Sequence, residues 1–146
     1  MTIRPARPND KATIAAFTAD TFAWGDYVAD AFDKWMEDPD GQILIAAGPD
    51  DEAIGMARVA MLSATEAWAQ AARVHPNHRR RGIALELTSA GEKWAAERGA
   101  LVMRLVTEDW NEPAQRQVEK SGFVHTSTWV VGTRSIAKVQ PATAGN

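Results

Sequence analysis

The sequence predicts an α/β chain of mixed (α+β) character, with a central, mostly antiparallel twisted sheet, one parallel βαβ pair, and helices on both faces. Three observations predict it. The turn signals Asp38-Pro39-Asp40-Gly41 and Gly48-Pro49-Asp50-Asp51-Glu52 frame apolar runs as an antiparallel meander. A long helical stripe follows, with Ile83, Leu87, Ala90 and Trp94 at spacings of 0, 4, 7 and 11. Beyond it, Ala100 to Val106 is a nearly continuous apolar run, as a buried strand parallel to the one before the helix would show.

The elements follow in order. Ile3 to Ala6 reads as a short first strand, and Pro8-Asn9-Asp10 as a turn offering Asn9 or Asp10 as helix cap. Ile14, Phe17, Thr18 and Thr21 keep helical spacing through Phe22, and Trp24-Gly25-Asp26 breaks it. Asp26 can cap a second helix, whose face is Val28, Phe32, Trp35 and Met36. Gln42–Ala47, Ala53–Leu62 and Glu66–Val74 form the meander, the last with Trp68, Gln70, Ala72 and Val74 expected on one face. The long helix runs from near Gly82 to Arg98, with Gly99 as its left-handed C′ residue. A short helix with Pro113 in its first turn leaves at Ser121-Gly122. Phe123–Val131 and Arg134–Val139 are expected as final strands, and 141–146 as a frayed tail after one domain over 1–140.

Composition excludes several chemistries. The 146 residues contain no cysteine, which rules out disulfides, thiolate metal sites and a Cys nucleophile. Sixteen Lys and Arg against nineteen Asp and Glu give a net charge of −3, which argues against nucleic acid as a partner. No apolar run approaches the roughly 20 residues of a membrane span, and Met1-Thr2-Ile3-Arg4-Pro5 lacks the apolar core of a signal peptide. A cytoplasmic location is the expectation. His75-x-x-His78 has no third ligand, so no metal is expected.

The sharpest motif is Arg79-Arg80-Arg81-Gly82-Ile83-Ala84, where a strand gives way to the long helix. Small residues let a ligand approach the backbone, and the first helical N–H groups lack partners inside the helix. The helix dipole and three guanidinium groups add positive charge, making an anion cradle. A solvated basic turn is the plainer reading of the same hexapeptide.

These residues resemble the acetyl-CoA signature of the GNAT-type N-acetyltransferase superfamily, Arg/Gln-x-x-Gly-x-Gly/Ala, met by Arg79, Gly82 and Ala84. Ile3-Arg4-Pro5-Ala6 with Asp10 resembles the family's opening strand and cap. Asn111-Glu112-Pro113-Ala114, continuing to Glu119-Lys120-Ser121-Gly122-Phe123, resembles its later segment. The element order matches from about residue 2 to 131.

The resemblance implies the acyl-CoA N-acyltransferase fold and acetyl transfer from acetyl-CoA by direct attack of a primary amine, borne by a small molecule, peptide or protein. It implies that acetyl-CoA binds at Val74, at Arg79, Arg80, Arg81, Gly82, Ile83 and Ala84, and at Asn111. The Val74 backbone would receive the acetyl carbonyl as charge develops on it, and such a donor is worth about 3 kcal/mol of barrier. Because an alkylamine is mostly protonated at neutral pH, a base is required. Glu66, on the Trp68 face, is the leading candidate, ahead of Glu108 and Asp109.

Similar enzymes carry a proton-donating Tyr one residue before the Glu-Lys pair; Val118 stands there, and the one tyrosine is Tyr27. A non-catalytic acetyl-CoA-binding module is therefore the alternative. The resemblance also places an acceptor wall at Trp24 and Tyr27, with Trp129 near it. The 123–131 edge, if open, would admit a second copy of the chain.

Overall fold

The structure, a computed structural model, describes residues 1–133. A five-stranded sheet runs in the order β1 (Thr2–Pro5), β2 (Gly41–Ala47), β3 (Ala53–Met61), β4 (Glu66–Val74), β5 (Val102–Arg104). Neighbours are antiparallel except β4 and β5, which are parallel. Helices α1 (Asp10–Thr18) and α2 (Val28–Met36) precede β2; α3 (Ile83–Ala96) crosses from β4 to β5, and α4 (Glu112–Lys120) follows. The predicted class and the order of the first nine elements are those observed.

Strand alternation divides the core in two. Ile43 and Ile45 of β2 pack with Ile14, Val28, Phe32 and Met56 beneath α1 and α2. Leu44 and Ala46 turn the other way and pack with Val59, Ile83, Leu87 and Ala95 under α3. The α3 stripe seals this second layer. Its C-terminus closes in a Schellman motif, Ala100 N–H donating to Ala95 O and Gly99 N–H to Ala96 O, each at 3.0 Å, with Gly99 left-handed at φ +94°.

Three expectations are corrected. First, α1 ends at Thr18, not Phe22. Thr18 Oγ1 donates back to Ile14 O at 2.8 Å, while Thr18 O accepts both the N–H and the hydroxyl of Thr21, which turns the chain. Second, the apolar run after α3 yields only three strand residues and is not buried; Leu101 is 82% exposed. Third, no strand forms at 123–131 among the described residues, and Val130 is 98% exposed. There His125, Ser127, Thr128 and Trp129 bond among themselves, a local alternative to sheet pairing, and β5 has no further strand partner among the described residues. The expected strand at 134–139 and the tail at 141–146 lie outside the described residues.

A fourth correction reaches the site. In the β3–β4 ladder Met56 faces Arg73 and Arg58 faces Gln70, so Ala57 opposes both Ala71 and Ala72. This is a β-bulge, and Ala71 takes the left-handed conformation at φ +58°. The extra residue reverses the alternation beyond it. Trp68 and Gln70 point to the α1/α2 side with Arg73, while Val74 joins the α3 core rather than sharing their face.

Candidate active site

β4 and β5 pair only from Glu66–Val102 to Trp68–Arg104. Beyond this vertex they part, and a cleft opens between Ala69–Arg73 on one side and Leu105–Thr107 on the other. Its floor is α3, through Leu87, Thr88 and Gly91, and α4 closes it with Ala114, Gln117 and Val118. Gln117 Nε2 donates to Thr88 Oγ1 at 3.3 Å, holding α4 to α3. Because Arg58 and Gln70 also line the cleft, it passes through the sheet from the α3 side to the α1/α2 side.

At its open end lies the arginine-glycine turn. Gly82 precedes α3 at φ +79°, and Arg80 is also left-handed at φ +61°. Open space surrounds the position a Gly82 side chain would take. No side chain caps the helix, and the N–H groups of Gly82, Ile83, Ala84 and Leu85 have no partner among the described residues. Arg79, Arg80 and Arg81 are exposed. Arg79 Nε donates to Val74 O at 3.3 Å, tying the turn to the end of β4. These are free donors at the positive end of a 14-residue helix, and they fit a pyrophosphate. His75 Nδ1 accepts the Asn77 N–H at 3.2 Å, so it serves the turn. Among the described residues no group of three His, Cys, Asp or Glu side chains could hold a metal.

The other expected residues fall as follows. His75 N–H donates to Ile54 O in β3, so the neighbouring Val74 N–H faces the opposite edge, toward the cleft. Asn111 both lines the cleft and caps α4, its Oδ1 accepting the Ala114 N–H at 3.3 Å. Val118 lines the cleft as well. Glu66 is on the α1/α2 face but at the closed end, and its carboxylate receives Arg104 Nη1 at 2.6 Å. Eight residues of strand separate it from Val74, about 26 Å along β4, and the bulge aims their side chains to opposite faces. Glu108 and Asp109 are exposed, outside the cleft lining.

The pattern of residues did not reveal one arrangement. Arg73, which adjoins the basic turn in sequence, is not part of it. Its guanidinium reaches Asp26 across the α1–α2 connection, lying 5.2 Å from the Phe22 ring and 5.8 Å from that of Tyr27. Asp26 also caps α2 as expected, accepting the Val28 N–H at 3.1 Å. Burial pushes the Asp26 carboxyl up, but the Arg73 bond and the Val28 N–H outweigh it and hold the pKa below the usual carboxylate range. Trp24 stacks on Phe22 and Tyr27 packs edge-on against Trp35, neither lines the cleft, and the cation near Tyr27 is the chain's own Arg73.

This sheet order, a cleft between two parallel strands and an uncapped helix at its mouth define the acyl-CoA N-acyltransferase architecture. The family model described as the acetyltransferase (GNAT) family matches residues 11–123, and the chain belongs to that family. None of the curated proteins compared matches it. Among solved structures, a transcriptional regulator from Bacillus halodurans C-125 superposes with a TM-score of 0.79 at 23% identity, covering 91% of this chain and 99% of its own. The aminoglycoside acetyltransferase AAC(6')-Iy, solved with the bisubstrate analog CoA-S-monomethyl-acetylneamine, gives 0.77 at 20% identity, covering 92% and 98%. The aminoglycoside antibiotic 6'-N-acetyltransferase AAC(6')-IG from Acinetobacter haemolyticus gives 0.77 at 19% identity, covering 93% and 99%. These likenesses concern the fold. No helix among the described residues is long and apolar enough to cross a membrane.

Proposed function

We propose that this chain, as one unit over 1–140, is an N-acetyltransferase that moves an acetyl group from acetyl-CoA to a small-molecule primary amine. The observation that carries this reading is the uncapped N-terminus of α3, with left-handed Arg80 and Gly82, opening onto the cleft that splits β4 from β5. The Gly82–Leu85 N–H groups bind pyrophosphate oxygens, and Arg79, Arg80 and Arg81 add charge. The pantetheine arm then lies along β4, bounded by Asn111 and α4. AAC(6')-Iy, with a CoA-containing analog bound, supports the same assignment.

Acetyl-CoA supplies an activated thioester carbonyl. The amine nitrogen forms a C–N bond to that carbon, the C–S bond breaks, and the sulfur takes a proton as the free thiol. Val74 stands beside the pyrophosphate turn, so its N–H borders the arm. The thioester lies farther along β4, where the bulge disturbs the ladder, and the peptide at Ala71–Ala72 is the nearer donor for charge developing on the oxygen. The amine loses its proton to water. Glu66 shares the acceptor face, but it is engaged by Arg104 and stands about 13 Å along the strand from Gln70.

The test is thiol release from acetyl-CoA over a panel of primary amines, together with calorimetry of acetyl-CoA. Binding with turnover of at least one amine is expected. Binding without any turnover would instead favour the non-catalytic module, which the apolar Val118 in the cleft supports.

A further inference from the structure

Three polar side chains line the cleft on the α1/α2 side: Arg58, Gln70 and Arg73. The two arginines are already paired, with Asp38 and Asp26, and a guanidinium carries donors only. Gln70 differs on both counts. It is half-buried, and its amide makes no hydrogen bond among the described residues while staying accessible from the cleft. Its neighbours on the strand, Ala69, Ala71 and Ala72, bring no polar side-chain atom. The remaining acceptors of the lining lie elsewhere: Thr88 on α3, Asn111 and Gln117 at α4, and Thr107 past the end of β5. Gln70 Oε1 is thus the one side-chain hydrogen-bond acceptor that lines this side among the described residues.

Its place along β4 gives this oxygen a use. Gln70 stands two residues past Trp68, where pairing with β5 ends, and immediately before the bulge at Ala71. It therefore adjoins the Ala71–Ala72 peptide proposed to meet the thioester oxygen. An attacking amine must aim its single lone pair at the thioester carbon, so its N–H bonds point away from that carbon. A hydrogen-bond acceptor behind the nitrogen fixes the orientation.

Resting on the acetyl-transfer reading, we infer that Gln70 orients the acceptor, its Oε1 accepting one N–H of the attacking amine. A side-chain amide takes up no proton near neutral pH, so Gln70 positions the nitrogen and water removes the proton.

The experiment compares two CoA thioethers that differ in one group. Carboxamidomethyl-CoA ends in an NH2 that stands for the acceptor nitrogen, and acetonyl-CoA has a methyl there. Wild type should bind the first about fivefold more tightly by calorimetry, the worth of one neutral hydrogen bond. Gln70→Leu should bring the two to equal affinity. It should also leave acetonyl-CoA within about twofold of wild type, which shows that the variant folds. Equal affinities in wild type, or a preference that survives Gln70→Leu, overturn the inference. If neither compound binds, the acetyl-CoA reading fails and the inference falls with it. If the preference is present and lost in Gln70→Leu while no amine is acetylated, the Gln70 contact stands and acetyl transfer fails.

Discussion

Arg73 and Asp26 are joined across 47 residues of chain, with Nε at 2.6 Å from Oδ2 and Nη2 at 3.3 Å from Oδ1. The pair links the last residues of β4, the strand that borders the cleft, to the connection between α1 and α2. Its ion pairing is also a stability term that depends on pH.

Asp26→Asn should cost about 3 kcal/mol, because a largely buried guanidinium loses its counter-ion. The folded-state pKa of Asp26 lies below its unfolded value near 3.9. Its contribution is therefore complete above that value and is lost as pH falls through the folded pKa. Melting temperatures of wild type and Asp26→Asn should differ most above about pH 5 and converge in acid. A gap that stays constant down to pH 2 would contradict the assignment.

Gly82→Glu should weaken acetyl-CoA at least thirtyfold by calorimetry. It puts bulk into the open space over the α3 amides, and a carboxylate at a helix terminus that favours anions by up to about 2 kcal/mol. Unchanged affinity would move the pyrophosphate site elsewhere.

Glu66→Gln should leave kcat/KM within about twofold and its pH profile in place, since Glu66 pairs with Arg104 at the closed end of the cleft. A tenfold fall with a shifted acidic limb would make Glu66 the base after all.

Val118→Tyr places a phenol in the cleft, on the helix face that lines it. If thiolate departure limits the reaction, kcat should rise about tenfold or more, within the range a positioned acid supplies. Single-turnover measurements would separate this from faster product release.

Most of the framework was legible because it follows short-range rules. The ends of β4, the α3 stripe and the left-handed Gly99 all come from periodicity and turn chemistry. The anion cradle was legible for the same reason, being one contiguous segment. Asp26–Arg73 was not, because its partners are far apart in sequence and each has a simpler local role. The bulge at Ala71 escaped because alanine carries no signature of the left-handed region, where glycine or asparagine would have. The exposed β5 run misled because continuous apolar sequence measures a capacity for burial, and burial also requires something to lie on top.

The single extra residue in β4 has a consequence for how this chain can change. Deleting Ala71 would leave Ala57 opposite Ala72 alone, an even ladder in which Arg73 still faces Met56 and Val74 still faces Gly55, so Asp26 would keep its partner. What the deletion would remove is the bulge itself, with its left-handed peptide at the edge of the cleft. At this point in the fold the spare residue shapes the backbone and leaves the side-chain faces where they are.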